Sequence, residues 1–224
     1  MEWTEQKLMQ ITQIIELSKS RSKVYIDQEF AFVLYKGELR IYHIHEGAEL
    51  SENDYLQIMR EVLPKRAKLR AMNLLKSRQY TTQQLRIKLE QGFYPEEVIE
   101  EALSYVAGFH YIDDLQYAID YITYHEAGKS RKRMEQDLQR KGISKEVIEK
   151  AWQMWEADGG LQDEQEMISK LLEKKHYNPG TADYKEQQRI FAFLMRKGFS
   201  GEQIRKAMNN CDLYLTEESF QFKI

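Results

Sequence analysis

Few side chains in this 224-residue sequence have the types and spacing that chemistry needs. Asp113 and Asp114 are adjacent carboxylates, a pair that metal binding or acid–base work would use. Neighbouring residues at a helix start do not converge on one point, and no third carboxylate has suitable spacing, so the pair reads as a helix cap. Asp163 follows Ala151 at the interval by which Asp114 follows Ala102, and reads as the same cap repeated. His43 and His45 would share one face of a strand, but a metal site needs further ligands and none is indicated. Cys211, the single cysteine, excludes an intramolecular disulfide framework and a multi-thiolate zinc site, and reads as a small core residue. There is no phosphate-binding loop, nucleophile elbow or dinucleotide fingerprint. No catalytic residue, metal or cofactor is assigned, and the chain reads as a non-enzyme.

Positive charge is the chemistry that remains. The segment KRAKLRAMNLLKSRQYTTQQLRIKL (65–89) carries Lys65, Arg66, Lys68, Arg70, Lys76, Arg78, Arg86 and Lys88 and no acid. A second cluster holds Lys129, Arg131, Lys132, Arg133, Arg140 and Lys141, diluted by Glu135 and Asp137. A charge run is usually a solvated helix face. Uncompensated like charges repel, however, which makes an anionic partner the better reading of the first cluster and an even choice for the second. Tyr117, Tyr121 and Tyr124 lie beside the second cluster at helical spacing. Base stacking is open to them, but packing between helices is favoured.

These residues need elements to position them. Residues 11–17, 23–26, 29–35 and 38–45 are rich in β-branched and aromatic types, with a hairpin expected at Lys36-Gly37. Ser51, with Asp54 three residues on, opens a helix that Pro64 punctuates. Everything beyond is helical in period, and it repeats. The segments LRIKLEQGFYPEEVIEEALSYV (85–106), MEQDLQRKGISKEVIEKAWQMW (134–155) and IFAFLMRKGFSGEQIRKAMNNC (190–211) share one apolar frame. Leu89, Leu138 and Leu194 each precede Ile99, Ile148 and Ile204 by the same interval. Gly92, Gly142 and Gly198 fall between the two helical stretches, the first one position early, and read as caps supplying positive φ. Upstream helices over 67–76, 115–124 and 166–175 complete three-helix units. Glu96, Glu97, Glu100 and Glu101 after Pro95 suit the positive end of a helix dipole.

The expected fold is mainly α: three tandem three-helix repeats in an elongated curved array, preceded by a small β-rich module. The boundaries run 1–63 for that module with one helix, then 64–110, 111–160 and 161–213 for the repeats, and 214–224 for a tail. Three units in line would reach roughly 60–75 Å. With 31% charged and 42% hydrophobic residues the chain suits water. Its N-terminus has no cationic flank or apolar core of a signal peptide, and no apolar run spans a bilayer. A cytoplasmic location follows.

Residues 65–213 resemble the RecX family of bacterial recombination regulators. The resemblance rests on AMNLLKSRQYTTQQLRIKLEQGF, PEEVIEEAL, YIDDLQYAIDYI and LQRKGISKEVIEKA. The segment ITQIIELSKSRSKVYIDQEFAFVLYKGEL is similar to the extra N-terminal module of longer Gram-positive members. His110 stands where the family usually has glycine, which weakens the case for a left-handed turn there. The resemblance implies tandem three-helix repeats that lie in the groove of the RecA recombinase filament and inhibit its recombinase, ATPase and coprotease activities. DNA would be met weakly or through the filament, by a monomer with no membrane contact. A row of basic helical units suits a long, shallow, anionic groove. Arg66, Arg70, Arg78 and Arg86, with Arg131, Arg133, Arg140 and Lys141, are the foremost contacts; reversing Arg66 and Arg70 should abolish inhibition and spare helicity. The alternatives are an independent single-stranded DNA-binding module, against which pI ≈ 6.0 counts, and a scaffold for another protein.

Overall fold

The computed structural model describes residues 8–218, with side chains up to Asn209. Three runs of β-branched and aromatic residues form strands β1 (Met9–Ser18), β2 (Arg21–Ile26) and β3 (Glu29–Tyr35). A short β4 (Glu49–Leu50) completes an antiparallel sheet of order β3-β2-β1-β4. Ile14 faces Val24 and Val24 faces Phe32 across the ladders. Ile11, Val24, Phe32 and Leu34 are buried, so the pleat turns its apolar side inward.

The expected strand over 38–45 is not formed, and Lys36-Gly37 is no hairpin. Residues Lys36–Ile41 are helix α1. Its start is fixed by the Glu38 carboxylate, which accepts a hydrogen bond from the Tyr35 backbone N–H at 2.7 Å. The tight turn lies one strand earlier, at Asp27 and Gln28, where φ is +50° and +72°, the signature of a primed two-residue hairpin. His43 and His45 are therefore exposed loop residues, and among the described residues no group of three or more His, Cys, Asp or Glu is placed to hold a metal ion.

Ser51 caps α2 (Glu52–Gln57) by accepting from the Asp54 N–H at 3.1 Å. Pro64 does not end that helix. A π-turn over Ile58–Val62, in which the Leu63 N–H reaches back to Ile58 O, leads directly into α3 (Leu63–Ser77). Pro64, which has no N–H to donate, is the second residue of α3, directly after that π-turn.

The chain then repeats itself as expected. α4 (Thr82–Glu90) and α5 (Glu96–Gly108) follow α3. The second set is α6 (Asp114–His125), α7 (Arg131–Arg140) and α8 (Lys145–Ala157). The third is α9 (Glu164–Lys174), α10 (Tyr184–Lys197) and α11 (Gly201–Glu218). The stripe Ile99-Ala102-Leu103-Val106 is buried, as are Ile148-Ala151-Trp152-Trp155 and Ile204-Ala207-Met208. The Cys211 side chain and the end of the tail lie outside the described residues. Asp163 caps α9, accepting from the Gln165 and Glu166 N–H groups at 2.8 and 3.0 Å, and Asp114 opens α6.

The left-handed position between second and third helices is kept exactly in frame, four residues after each leucine. In the second and third sets it is Gly142 (φ +88°) and Gly198 (φ +96°). In the first it is Phe93 (φ +61°), so Gly92 is not the cap expected of it. Gly92 is needed instead for close approach: a Cβ there would lie 2.8 Å from the Tyr94 ring. His110 does adopt the left-handed turn, at φ +55°, in register with Gly159 at +91°.

The chain divides into two compact units between Asp113 and Asp114. In the first, one core joins the sheet to α3–α5, with Phe32, Leu34, Ile58, Leu63, Leu85 and Ile99 in the same cluster. In the second, α6–α8 and α9–α11 have a core each. Their junction is hydrogen-bonded. Buried Ser130, which caps α7, donates its N–H to Lys197 O at 3.3 Å, and Gln162 donates to Glu126 O and Lys129 O, both at 2.9 Å.

Gly198 and Gly159 therefore make a matched test. A Cβ at Gly159 meets nothing, whereas one at Gly198 would press on Ser130 and come within 2.6 Å of Arg133 Cβ. Gly159→Ala should cost about 1–2 kcal/mol of left-handed strain. Gly198→Ala should cost a further 1–3 kcal/mol or so from overpacking. Chemical denaturation followed by circular dichroism measures both, and equal losses would contradict the close contact.

Candidate functional site

Residues 65–89 supply eight cations, but a helix turning 100° per residue cannot present them on one strip. Three of them are engaged by acids of the protein itself. Arg66 points into the sheet, where its Nη1 donates to Glu38 Oε2 at 2.9 Å and to Val33 O at 3.1 Å. Its side chain is only 15% exposed and its guanidinium carbon stands 4.4 Å from the Tyr35 ring centre. Lys68 reaches Glu101 at 2.6 Å and lies over the Tyr105 ring. Arg86 bridges Glu96 and Glu100. Glu96 in the first turn of α5 thus serves both the helix dipole and Arg86, while Glu100 and Glu101, one turn on, pair with Arg86 and Lys68.

Lys65, Arg70, Lys76, Arg78 and Lys88 have no ion-pair partner among the described residues. Arg78 lies 4.2 Å from the Tyr80 ring centre, and Lys88 donates to the neutral Gln91 Oε1 at 3.2 Å. This is where the positive potential of the first cluster resides.

The second cluster is organised by one acid. Asp137, 11% exposed, receives Lys129 at 3.0 Å, Arg133 at 3.3 Å and Arg140. Tyr121 donates its hydroxyl to the same carboxylate at 3.0 Å and accepts from Lys129 at 2.7 Å. Burial alone would raise the Asp137 pKa, but hydrogen bonds from Lys129 and Tyr121 and the fields of Lys129 and Arg133 hold it below its ordinary value. Three cations on one carboxylate leave a local surplus of positive charge. Arg131 is paired with Glu135 at 3.0 Å and Glu156 at 2.9 Å and stacks over Trp152. Lys132 is exposed without an ion pair among the described residues, and Lys141 stands over the Tyr117 and Tyr121 rings. Tyr117 and Tyr121 pack as expected, but Tyr124 is 84% exposed and leaves the stripe.

The sequence view missed Arg21, on β2, which lines a cavity with Arg70 and Lys88. No linear signal joins them. It also missed an exposed aromatic group, Tyr105, Phe109 and Tyr111, whose neighbouring rings are 4.9 and 5.9 Å apart. Residues 105, 109 and 111 straddle a helix end, so neither helical nor strand periodicity reveals them.

Comparison with known proteins bears on all three helical sets. Residues 67–105, 113–151 and 162–208 match the family descriptions "RecX, first three-helix domain", "RecX, second three-helix domain" and "RecX, third three-helix domain". A "Regulatory protein RecX" of Caldanaerobacter subterraneus is 32% identical over 203 residues, covering 90% of this chain and 99% of that protein. The chain belongs to the RecX family. A Bacillus pumilus RecX is 28% identical over 190 residues, covering 84% of this chain and 71% of its own. A crystal structure of regulatory protein RecX superposes with a TM-score of 0.55 at 26% identity, over 89% of this chain and all of that one. RecX from Lactobacillus salivarius shares the fold, with a TM-score of 0.56 at 24% identity over 68% of this chain and 98% of that one. Among the described residues no helix is long and apolar enough to cross a membrane.

The Asp137 centre of the second RecX domain has a defined pH signature. Its pKa is lower folded than unfolded, so its stabilisation is complete above the ordinary carboxylate value of about 3.9 and is lost as pH falls through the lower native value. Asp137→Asn should cost about 1–3 kcal/mol at neutral pH. The variant should also lose less stability than the parent on acidification below about pH 4. Denaturant unfolding of the two chains, followed by the fluorescence of Trp152 and Trp155, reads this; parallel pH curves would remove Asp137 as the organiser.

Proposed function

We propose that this chain is a non-enzymatic, cytoplasmic regulator of homologous recombination and DNA repair. It binds the filament that a RecA-type recombinase forms on DNA and inhibits the recombinase, ATPase and coprotease activities of that filament. One observation carries the reading: three RecX domains stand in tandem, in order, along the chain. The distribution of charge supports it. A filament on DNA is a polyanion, and Lys65, Lys76, Arg78 and Lys132 offer exposed positive charge that no acid of the described residues neutralises. Long cationic side chains of this kind act mainly on the rate of encounter and on its salt dependence.

Arg66 does not belong with these contacts. Reversing it would set a carboxylate against Glu38 and leave Val33 O without its donor, at a cost of about 3–5 kcal/mol. Loss of inhibition in that variant would report unfolding of the sheet and not a lost contact.

The test is the DNA-dependent ATPase of the cognate recombinase, with and without the full chain, over a salt series. Inhibition that weakens with salt is expected. Reversing Lys65, Lys76 and Lys132 together to Glu should raise the half-inhibiting concentration about tenfold, roughly 1.4 kcal/mol of binding, with helicity unchanged. No inhibition by the parent chain would sink the proposal. Affinity for single-stranded DNA that is the same with and without recombinase would favour the independent DNA-binding reading.

A further inference from the structure

Within the first compact unit, between the sheet and the first RecX domain, lies a partly enclosed cavity of about 390 Å³. Three cations from three elements line it: Arg21 at the start of β2, Arg70 on α3 and Lys88 on α4. Tyr35, Tyr94 and Gln91 add neutral polar groups, and no carboxylate lines the wall. None of the three cations has an ion-pair partner among the described residues, whereas Arg66, Lys68 and Arg86 on the same two helices each have one. Arg66 stands 4.4 and 5.8 Å from the Tyr35 and Tyr94 ring centres, but its charge is already met by Glu38.

Like charges around one void repel, so the cavity is built for an occupant that is negative. We propose that it binds a phosphate group, supplied by the backbone of a single DNA strand. A planar carboxylate presents its lone pairs in a single plane and matches one guanidinium fork edge-on. A tetrahedral phosphate can meet two forks and an ammonium that approach from three directions. Tyr94 joins as a donor, since a phenol keeps its proton at neutral pH; burial raises its pKa further, against the lowering pull of Arg66 and Arg70. Gly92 holds this wall in place, since any side chain there would push the Tyr94 ring aside. The volume leaves room for sugar on both sides of the phosphate, where a carboxylate would leave most of it empty.

The inference deepens the preceding proposal and rests on it for the biological setting alone, because the measurement omits the recombinase. A fluorescent oligothymidylate is titrated with the full chain over a salt series. Arg21→Gln and Arg70→Gln should each weaken binding severalfold to tenfold at low salt, and each should flatten the slope of log K against log salt by about 0.7. Arg70→Lys should restore the slope, and Lys174→Gln, exposed on α9, should change nothing. Inorganic phosphate should displace the strand from the unaltered chain better than chloride at equal ionic strength, a readout that needs no folded variant. Unchanged slopes in both Gln variants, with phosphate no better than chloride, would overturn the assignment. Stronger competition by a nucleoside monophosphate than by the strand would overturn the strand as the source. Variants that bind the strand normally but no longer inhibit the ATPase would place a protein carboxylate in the cavity instead.

Discussion

Four residues after Leu89, Leu138 and Leu194 the backbone turns left-handed, and the geometry of each three-helix unit depends on that turn. It lies in a connection of three to five residues, after which the next helix places Ile99, Ile148 or Ile204 in the same core as the leucine before it. The turn can be made by glycine at little cost, as at Gly142 and Gly198, or by another residue at about 1–2 kcal/mol. Phe93 accepts that strain and recovers contact energy elsewhere: its ring packs edge-on against Phe30 of β3, and Lys23 stands 4.3 Å from its centre. The first domain thereby uses its turn residue to grip the sheet.

That attachment changes the meaning of the N-terminal segment. The sheet is not a separate bead beside the first domain, because Phe32 and Leu34 share one buried cluster with Leu85 and Ile99. The Arg66–Glu38 pair adds a polar clasp at the edge of that cluster, joining α3 to the start of α1. Desolvating such a pair offsets much of its attraction, so its value lies less in stability than in fixing how the helix meets the sheet.

The repeat frame was legible because it is local: an apolar stripe at helical spacing, a short reversal and a second stripe all lie within some twenty-five residues. The same locality exposed the Ser51 and Asp163 caps. What could not be read depended on partners far along the chain. The residues 38–45 carry strand-like types, yet Glu38 is drawn into a helix start by the Tyr35 N–H and held there by Arg66, 28 positions on. The basic run looked uncompensated because its acids, Glu96, Glu100 and Glu101, come from the next helices. Arg21 was invisible for the same reason, standing on a strand whose own neighbours are mixed in charge.

The two basic clusters consequently differ in kind. In the second, Asp137 gathers three cations into one array around a mostly buried carboxylate, which sets their geometry. In the first, Arg66 is neutralised by Glu38 of α1 and Lys68 and Arg86 by acids of α5, while the remainder are left at the periphery or around the cavity. A pre-ordered array loses little side-chain entropy on meeting an anion, whereas lone lysines such as Lys65 and Lys76 lose more. Directional contacts of this RecX chain should therefore be sought first at the Asp137 centre, where cations are already held. Solvated lysines in general act on the rate of an encounter and on its salt dependence.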